Sequence, residues 1–183
     1  LFRSFDKIKK KLIPLIENIG KSSNSPDAGF LEGDFSIAKQ KKLGRSISQD
    51  IGFDYDRGRM DVSVHPFCGG GHPTDVRITT RYNTDNFIDS LFAVIHETGH
   101  GLYEQGRMPS FLDLPVSKSI SMGIHESQSL FWERMIAQNI YFCEHYLDLF
   151  LETFPKALQG VSLDTFYRAI NKCSPSFIRV EAD

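Results

Sequence analysis

Apolar residues recur every three to four positions along most of the chain, a spacing that predicts a mainly α-helical protein. The first such stretch covers residues 2–19 and carries lysines mostly on its opposite side. We interpret it as a helix that packs on the core, with a membrane-surface helix as the alternative, and we expect Pro14 to kink or interrupt it. A second helix is predicted to start at a cap at Asp34 and to continue to Ile51.

A different pattern occupies residues 54–82. The glycines 69–71 disfavour a helix, so residues 65–73 are predicted to form a loop. Residues 76–82 alternate between apolar and polar side chains, which predicts a strand with one polar face that includes Arg77. This short strand is the one β element that the pattern predicts.

Helical spacing returns after the strand. We predict a helix that is capped by Thr84 or Asp85 and ends at Gly106. After a loop, one long helix is predicted over about residues 124–154, and a shorter helix capped by Ser162 follows it. The buried side of the long helix is predicted to comprise Leu130, Phe131, Met135, Ile136, Ile140, Cys143, Leu147 and Phe150.

The composition fits one globular domain and excludes several other classes of protein. A length of 183 residues suffices for a hydrophobic core, and a net charge of −2 gives no reason to expect binding to nucleic acid. No apolar run reaches the length of a membrane span, and the basic amphipathic start does not resemble a signal peptide. Cys68, Cys143 and Cys173 are odd in number and widely spaced, so we expect free thiols in a reducing compartment.

The helix predicted after the strand contains the sequence His-Glu-Thr-Gly-His at residues 96–100. Residues four apart share one face of a helix, so the imidazoles of His96 and His100 can bind one Zn²⁺ ion. Glu97 lies beside them, where its carboxylate can take the proton of a metal-bound water. A surface helix that carries two histidines by chance is the alternative interpretation of this motif.

Two histidines leave a tetrahedral Zn²⁺ ion in need of a third protein ligand and an open position for water. The acidic candidates downstream are Glu104, Asp113, Glu126, Glu133 and Glu144. Glu104 shares the helix of the two histidines, and one straight helix rarely supplies three ligands to one ion. We favour Glu126, because it opens the predicted long helix, which can lie antiparallel to the first. Its neighbour His125 faces another side of that helix and is not counted as a ligand.

The sequence resembles the thermostable carboxypeptidase family, the helical metallocarboxypeptidases that carry an HExxH motif. The resemblance rests on five motifs that occur in the family's order. They are His65-Pro66-Phe67, Asp75-Val76-Arg77-Ile78-Thr79, His96-Glu97-Thr98-Gly99-His100, His125-Glu126-Ser127-Gln128 and Ile178-Arg179-Val180-Glu181-Ala182-Asp183. Together they cover the chain from about Asp54 to its end, and residues 1–53 are compatible with the helices that precede this region in the family.

The resemblance implies a mostly helical fold, with a short β element beside the active-site cleft. It implies a divalent metal, zinc with cobalt as a substitute, bound by His96, His100 and Glu126. It also implies Glu97 as the general base. The implied activity is the stepwise release of C-terminal amino acids from peptides with a broad specificity, and the implied assembly is a homodimer in the cytoplasm.

An enzyme that acts at a C-terminus must recognise a free carboxylate, which requires a cation with a forked geometry. Arg179 and Arg77 are the candidates, since each lies inside a family motif. We favour Arg179 as the carboxylate clamp and Arg77 as a cleft residue, and the reverse assignment stays open. The alternatives are an exposed strand arginine for Arg77 and a structural ion pair with Asp183 for Arg179. His65 either contacts the substrate or braces the site.

The chain differs from the family in its extent, because members of the family are far longer on both sides. We therefore treat residues 1–183 as a single partial catalytic domain, with leading helices over residues 1–53 and the metal-binding core over residues 54–183. A later family motif, Gln-Asp-x-His-Trp, is not in this sequence, and an oxyanion donor could be missing with it. Two alternatives stay open: an inactive or incomplete metal-binding fragment, and a helical HExxH endopeptidase or oligopeptidase.

Overall fold

The computed structural model describes residues 2–173, and most of these residues are helical. The helices and strands are α1 (Phe2–Lys21), α2 (Ile37–Asp50), β1 (Gly58–Val62), β2 (Cys68–His72), β3 (Asp75–Thr80), α3 (Phe87–Gln105), α4 (Met122–Leu130), α5 (Ile140–Thr153) and α6 (Leu163–Ile170). A π-helical segment, Phe131–Ile136, lies between α4 and α5. The predicted mainly α-helical class with a small β element is confirmed.

The helix α3 lies at the centre of the fold, with α2, α4 and β3 packed around it. Its residues Leu91 and Ile95 are buried, as the helical spacing predicts. Phe87 at its start belongs to a cluster of phenylalanine rings, with its centroid 5.0 Å from that of Phe35 and 4.7 Å from that of Phe154. Burial of this apolar surface holds α3 in place, and α3 carries the His-Glu-Thr-Gly-His motif.

The start of α2 differs from the prediction. The helix begins at Ile37 rather than at a cap at Asp34. Phe35 is fully buried just before the helix, and its backbone N–H donates to the carbonyl oxygen of Thr84 at 2.7 Å. This hydrogen bond to a distant segment holds the backbone of residues 34–35 outside the helix.

The start of α3 also differs from the prediction, whereas its end agrees. Asn86 is the N-cap, and its side-chain oxygen accepts a hydrogen bond from the backbone N–H of Ile88 at 2.8 Å. Thr84 and Asp85 were expected in this role, but their carbonyl oxygens accept hydrogen bonds from the segment before α2. Gly106 follows the last helical residue, as predicted.

The strands form a sheet in the order β1-β3-β2, with β1 parallel and β2 antiparallel to β3. β3 corresponds to the predicted strand over residues 76–82 and buries Ile78, but it starts at Asp75 and ends at Thr80. β1 is a strand that the sequence pattern does not predict. The prediction of a loop over residues 65–73 is wrong, because Cys68–His72 forms β2. Gly70 has a φ of 141°, and a Cβ there would lie 2.2 Å from the carbonyl oxygen of Asp75. Glycine therefore allows the close approach of β2 to β3.

The helix α1 does not pack on the core formed by the described residues. None of its residues is buried, and its apolar side chains from Phe2 to Ile19 are 42–83% exposed. The interpretation of α1 as a core-packing helix is therefore wrong for this part of the chain. The predicted interruption at Pro14 is also wrong, because the helix continues through it to Lys21. Since α1 is exposed, water can hydrogen-bond the carbonyl that Pro14 leaves without a donor.

The long helix predicted over residues 124–154 is divided into α4, the π-helical segment and α5. The division between the last two lies at Asn139, whose side-chain oxygen accepts a hydrogen bond from the backbone N–H of Tyr141 at 3.0 Å. An asparagine in this position caps a new helix rather than continuing the old one. The prediction of one continuous helix is therefore wrong. The cap of α6 at Ser162 is confirmed by its contact with the backbone N–H of Thr165.

The π-helical segment changes which side chains of this region are buried. Cys143 and Phe150 are buried as predicted. The exposed fractions of Leu130, Phe131, Met135 and Ile140, which were predicted to be buried, are 39%, 46%, 67% and 37%. A π turn contains more residues than an α turn, so a face with 3.6-residue spacing does not continue across it. Glu133 is instead the buried residue of this segment.

Two findings bear on the cysteines and on membranes. Cys68 is half-buried, Cys143 is buried and Cys173 is exposed, and all three are free thiols, as expected. Among the helices of residues 2–173, none combines the length and the apolar character that crossing a membrane requires.

Candidate metal centre

The predicted histidine pair lies on the inner side of α3. His96 and His100 are one helical turn apart, and their ring centroids are separated by 5.0 Å. Their side chains are only 12% and 14% exposed. The site is thus partly shielded from water, and the pair does not belong to an exposed surface helix.

Glu126 on α4 completes a group of three candidate ligand residues. Its Oε2 atom lies 3.2 Å from Nε2 of His100 and 3.7 Å from Nε2 of His96. One ligand atom from each of the three residues lies within 4.8 Å of the other two. A set of two imidazole nitrogens and one carboxylate oxygen is typical of catalytic zinc sites. These residues therefore fit the metal that the motif predicts.

The approach of α4 to α3 depends on Gly99, which lies between the two histidines. A Cβ at this position would be 2.6 Å from Cα of Ser129 and 2.9 Å from the carbonyl oxygen of Gln128. Any side chain would push the two helices apart. The absence of one at Gly99 lets Glu126 reach the histidines.

Glu133 of the π-helical segment contacts His96 at Nδ1, whereas Nε2 of the same ring faces Glu126. Its Oε2 atom lies 2.7 Å from Nδ1 of His96, and its Oε1 atom accepts from Arg134 at 2.9 Å. Burial opposes protonation of His96, but the hydrogen bond to Glu133 and the charges of the nearby carboxylates outweigh it and raise the pKa of His96. Because Nδ1 is engaged by Glu133, Nε2 is left to face Glu126.

His125 contacts His100 in a similar way, at the Nδ1 atom of the His100 ring. The Nδ1 atoms of the two rings are 2.6 Å apart, and Nε2 of His125 lies 2.9 Å from Oε1 of Glu104. Burial, together with the neighbouring rings of His125 and His96, lowers the pKa of His100 to about 4. His100 is therefore a neutral imidazole at neutral pH, the form that can donate a lone pair.

A cleft of about 670 Å³ is lined by His96, one of the three candidate ligands. Glu97 and His65 both line it, together with His96 and Glu133. Glu97 is only 5% exposed. Glu97, predicted to be the general base, and His65, predicted to contact the substrate or brace the site, thus line the same cleft.

Arg77 lies elsewhere on the surface. It lines a second groove of about 790 Å³ on the exposed face of the sheet, beside Arg59 and Asp61. Its guanidinium makes two hydrogen bonds with the carboxylate of Asp75, at 3.0 and 2.8 Å. This bond raises the pKa of Arg77 and lowers that of Asp75. Arg179, the other candidate for the substrate carboxylate, lies outside the described residues.

Of the other acidic residues considered as the third ligand, two contact histidines. Glu133 contacts Nδ1 of His96, and Glu104 contacts Nε2 of His125 rather than a candidate ligand. Glu144 is an exposed residue of α5. The sequence offered a weak signal for Glu133, since it follows Glu126 by seven residues, or about two helical turns. The contact of His125 with His100 had no signal, because it depends on the distance between two helices.

Comparison with known proteins identifies the family. The family described as Carboxypeptidase Taq (M32) metallopeptidase matches residues 1–183. Carboxypeptidase 1 of Bacillus subtilis (strain 168) is 44% identical over 179 residues, which are 98% of this chain and 36% of that protein. Thermostable carboxypeptidase 1 of Thermus thermophilus is 38% identical over 98% of this chain and 35% of its own length. The chain thus spans about a third of these relatives.

Solved structures agree with the sequence comparison. A crystal structure described as BsuCP superimposes with a TM-score of 0.94 at 44% identity, covering 100% of this chain and 37% of that one. The M32 carboxypeptidase from Deinococcus radiodurans R1 gives a TM-score of 0.91 at 38% identity, covering 98% and 36%. A metallopeptidase family implies a divalent metal, which the group of His96, His100 and Glu126 fits. The chain belongs to the Carboxypeptidase Taq (M32) metallopeptidase family.

Proposed function

We propose that this chain carries the catalytic centre of a zinc-dependent metallocarboxypeptidase, which releases C-terminal amino acids from peptides. The observation that carries this proposal is the convergence of His96, His100 and Glu126 within 4.8 Å beside the cleft that Glu97 lines. The named relatives are carboxypeptidases, and this supports an exopeptidase over a helical endopeptidase or oligopeptidase.

The three ligand residues would hold the metal through Nε2 of His96, Nε2 of His100 and the carboxylate of Glu126. A bound divalent ion supplies a water of lowered pKa and polarises the scissile carbonyl. Glu97 then acts as the general base that takes the proton of the attacking water and transfers it to the leaving amine. Its burial suits this role, because excluding bulk water strengthens the electrostatic interactions in the site and prevents loss of the proton to solvent.

The free carboxylate of the substrate needs a cation. We assign this role to Arg179, because Arg77, the other candidate from the sequence, lines the groove on the face of the sheet rather than the cleft of Glu97. The ion pair of Arg77 with Asp75 supports the alternative of a structural arginine on the strand. His65 supports substrate binding or braces the site, since it lines the cleft of Glu97.

The proposals for the metal ion, the assembly and the cellular location rest on the resemblance to the family. We propose zinc as the metal, with cobalt as a substitute, and a homodimer in the cytoplasm. The free thiols support a reducing compartment. Peptides with a free C-terminus are the proposed partners, with no role for nucleic acid or membranes.

The limited share of the relatives that the chain covers favours a second candidate. We propose residues 1–183 as a partial catalytic domain, with leading helices over residues 1–53 and the metal-binding core over residues 54–183. Such a part of the fold could bind metal without efficient peptidase activity, because a substrate wall and an oxyanion donor could come from other segments. Loss of one oxyanion donor costs about 10²–10³ in rate.

An assay of C-terminal release separates these candidates. The wild-type chain and Glu97→Gln are loaded with zinc and tested on an N-blocked dipeptide with a free or an amidated C-terminus. The carboxypeptidase predicts release from the free form only, and loss of release in Glu97→Gln with zinc still bound. Stoichiometric zinc without release in either protein would point to the partial domain. Equal hydrolysis of the amidated substrate would contradict an exopeptidase.

A further inference from the structure

We propose that His125 is a positioning residue for the metal site, which holds His100 in the tautomer that presents its Nε2 lone pair to the metal. Glu104 is the anchor that fixes the tautomer of His125 in turn. This inference rests on the proposed function, since it takes Nε2 of His100 as a metal ligand.

The contacts form a continuous chain that leads away from the metal site. Nδ1 of His125 lies 2.6 Å from Nδ1 of His100, and the two rings are stacked with centroids 4.6 Å apart. On its far side, Nε2 of His125 lies 2.9 Å from Oε1 of Glu104. The second oxygen of Glu104 accepts from Arg107 at 3.0 Å, and Nε of Arg107 donates to Ser117 at 3.3 Å.

Only one placement of protons on neutral rings fits both contacts of His125. Glu104 is a carboxylate paired with Arg107, so it accepts a hydrogen bond, and the proton of His125 must lie on Nε2. Nδ1 of His125 is then a bare nitrogen that accepts the hydrogen bond from His100. The proton of His100 therefore lies on its own Nδ1, and its Nε2 lone pair and the carboxylate of Glu126 both face the position that the metal would occupy.

The opposite placement of the two protons would prevent His100 from binding the metal through Nε2. If Nδ1 of His125 carried the proton, its Nε2 lone pair would face the carboxylate of Glu104, which is repulsive. His100 would then accept at Nδ1 and carry its proton on Nε2, at the position of the metal. Thus Glu104, although it shares a helix with His100, acts on it through an imidazole of the neighbouring helix.

The surroundings keep this chain of contacts ordered. The side chains of His125 and Glu104 are each 20% exposed, and that of Arg107 is 15% exposed. Tyr103 packs against the ring of His125, with centroids 4.8 Å apart. Partial burial strengthens each of these hydrogen bonds relative to water. Partners of this kind typically change metal affinity by 10–100-fold when they are removed.

The test compares two substitutions of His125 that differ in whether the new side chain can accept a hydrogen bond from His100. In His125→Phe a ring remains between Tyr103 and His100 but cannot accept a hydrogen bond. In His125→Asn the side-chain oxygen can replace Nδ1 as the acceptor. His145→Phe is the control, because His145 is an exposed histidine of α5. Zinc dissociation constants are measured by competition with a chelator, and the visible spectrum of the Co²⁺-loaded protein is recorded.

The expected result is a zinc dissociation constant about 10–100-fold higher in His125→Phe, a smaller change in His125→Asn, and none in His145→Phe. The cobalt spectrum should change in His125→Phe and return toward the wild type in His125→Asn. If His125→Phe binds zinc like the wild type, the inference is overturned and the proposed function stands. If the wild type itself binds neither metal, both are overturned.

A second measurement does not depend on the folding of a variant. Long-range ¹H–¹⁵N correlation spectra of the zinc-loaded wild-type protein distinguish protonated from bare imidazole nitrogens. The inference predicts a proton on Nε2 and a bare Nδ1 for His125. A proton on Nδ1 of His125 would overturn it, whatever the affinities of the variants.

Discussion

Gly99 and Ser129 lie so close together that a Cβ on Gly99 would be 2.6 Å from Cα of Ser129. Gly99 belongs to the motif on α3 that supplies two of the candidate ligands, and Ser129 belongs to α4, which supplies Glu126. The distance between the helices, and therefore the geometry of the metal site, depends on a residue that contributes no ligand.

The substitution Gly99→Ala tests this dependence. We expect it to force α4 away from α3, which lowers the free energy of unfolding by about 1–3 kcal/mol and weakens zinc binding. Urea unfolding of the metal-free chain and chelator competition measure the two effects. Gly123→Ala on α4 is the matched control, because its nearest contact is Ser121 Oγ at 3.8 Å, and it should gain up to about 1 kcal/mol of helix stability. Tight zinc binding by Gly99→Ala would show that the contact does not set the site.

Glu133 orients His96 through a hydrogen bond of 2.7 Å between Oε2 and Nδ1. We predict that Glu133→Gln weakens zinc binding about 10–100-fold, since the neutral amide is a poorer acceptor and can rotate its NH₂ group toward the ring. Glu144→Gln, which changes an exposed acidic residue of α5, should leave the affinity unchanged. Equal affinities of the two variants would refute the role of Glu133.

The metal-free protein should lose stability in mild acid through His100. The pKa of His100 is lowered from 6.5 to about 4 by burial and by neighbouring histidines. Between these pH values the unfolded chain binds a proton that the folded chain does not. The contribution of His100 to the free energy of unfolding is thus complete above pH 6.5 and is lost as the pH falls toward 4. His96 acts in the opposite sense, because its pKa is raised.

Urea unfolding in a chelating buffer at several pH values checks this prediction. The wild type should lose more stability between pH 6.5 and pH 4.5 than His100→Gln, which lacks the titrating ring. The two proteins differ only at residue 100, so the difference between them reports the titration of His100 together with its effect on the charged groups around it. Parallel pH profiles would contradict the assignment.

Asn139 separates α5 from the π-helical segment by capping the helix with its side chain. We predict that Asn139→Ala lowers the free energy of unfolding by about 1 kcal/mol. Asn139→Ser retains a capping oxygen and should lose much less. Thermal unfolding of both variants provides the measurement, and equal losses would mean that the cap does not define this break.

The grouping of the candidate ligands could be predicted from the sequence because it depends on local periodicity. His96 and His100 are one helical turn apart on a helix with a clear apolar face, and this spacing alone brings their rings together. Glu126 required the further assumption of an antiparallel neighbouring helix, which α4 satisfies. The acidic residues at 104 and 133 were considered as ligands; in the structure Glu133 contacts His96 and Glu104 contacts His125 instead.

The features that could not be predicted depend on contacts between distant segments. β2 contains three consecutive glycines, whose lack of side chains hides the strand from any pattern of polarity, although Gly70 is what permits its pairing with β3. The π-helical segment follows helical spacing in sequence and departs from it only by a local change of hydrogen bonding. The exposed face of α1 has the same pattern that a core-packing helix would have.

The number of zinc ions bound per chain tests the central claim most directly. The wild type, Glu126→Ala and His100→Ala are loaded with zinc, dialysed and analysed for metal by mass spectrometry, with far-UV circular dichroism to verify folding. We predict one zinc ion per wild-type chain and a large loss of zinc in both variants, because each lacks one of three ligands. A wild-type chain without zinc, or folded variants that retain a full equivalent, would contradict a metal site formed by His96, His100 and Glu126.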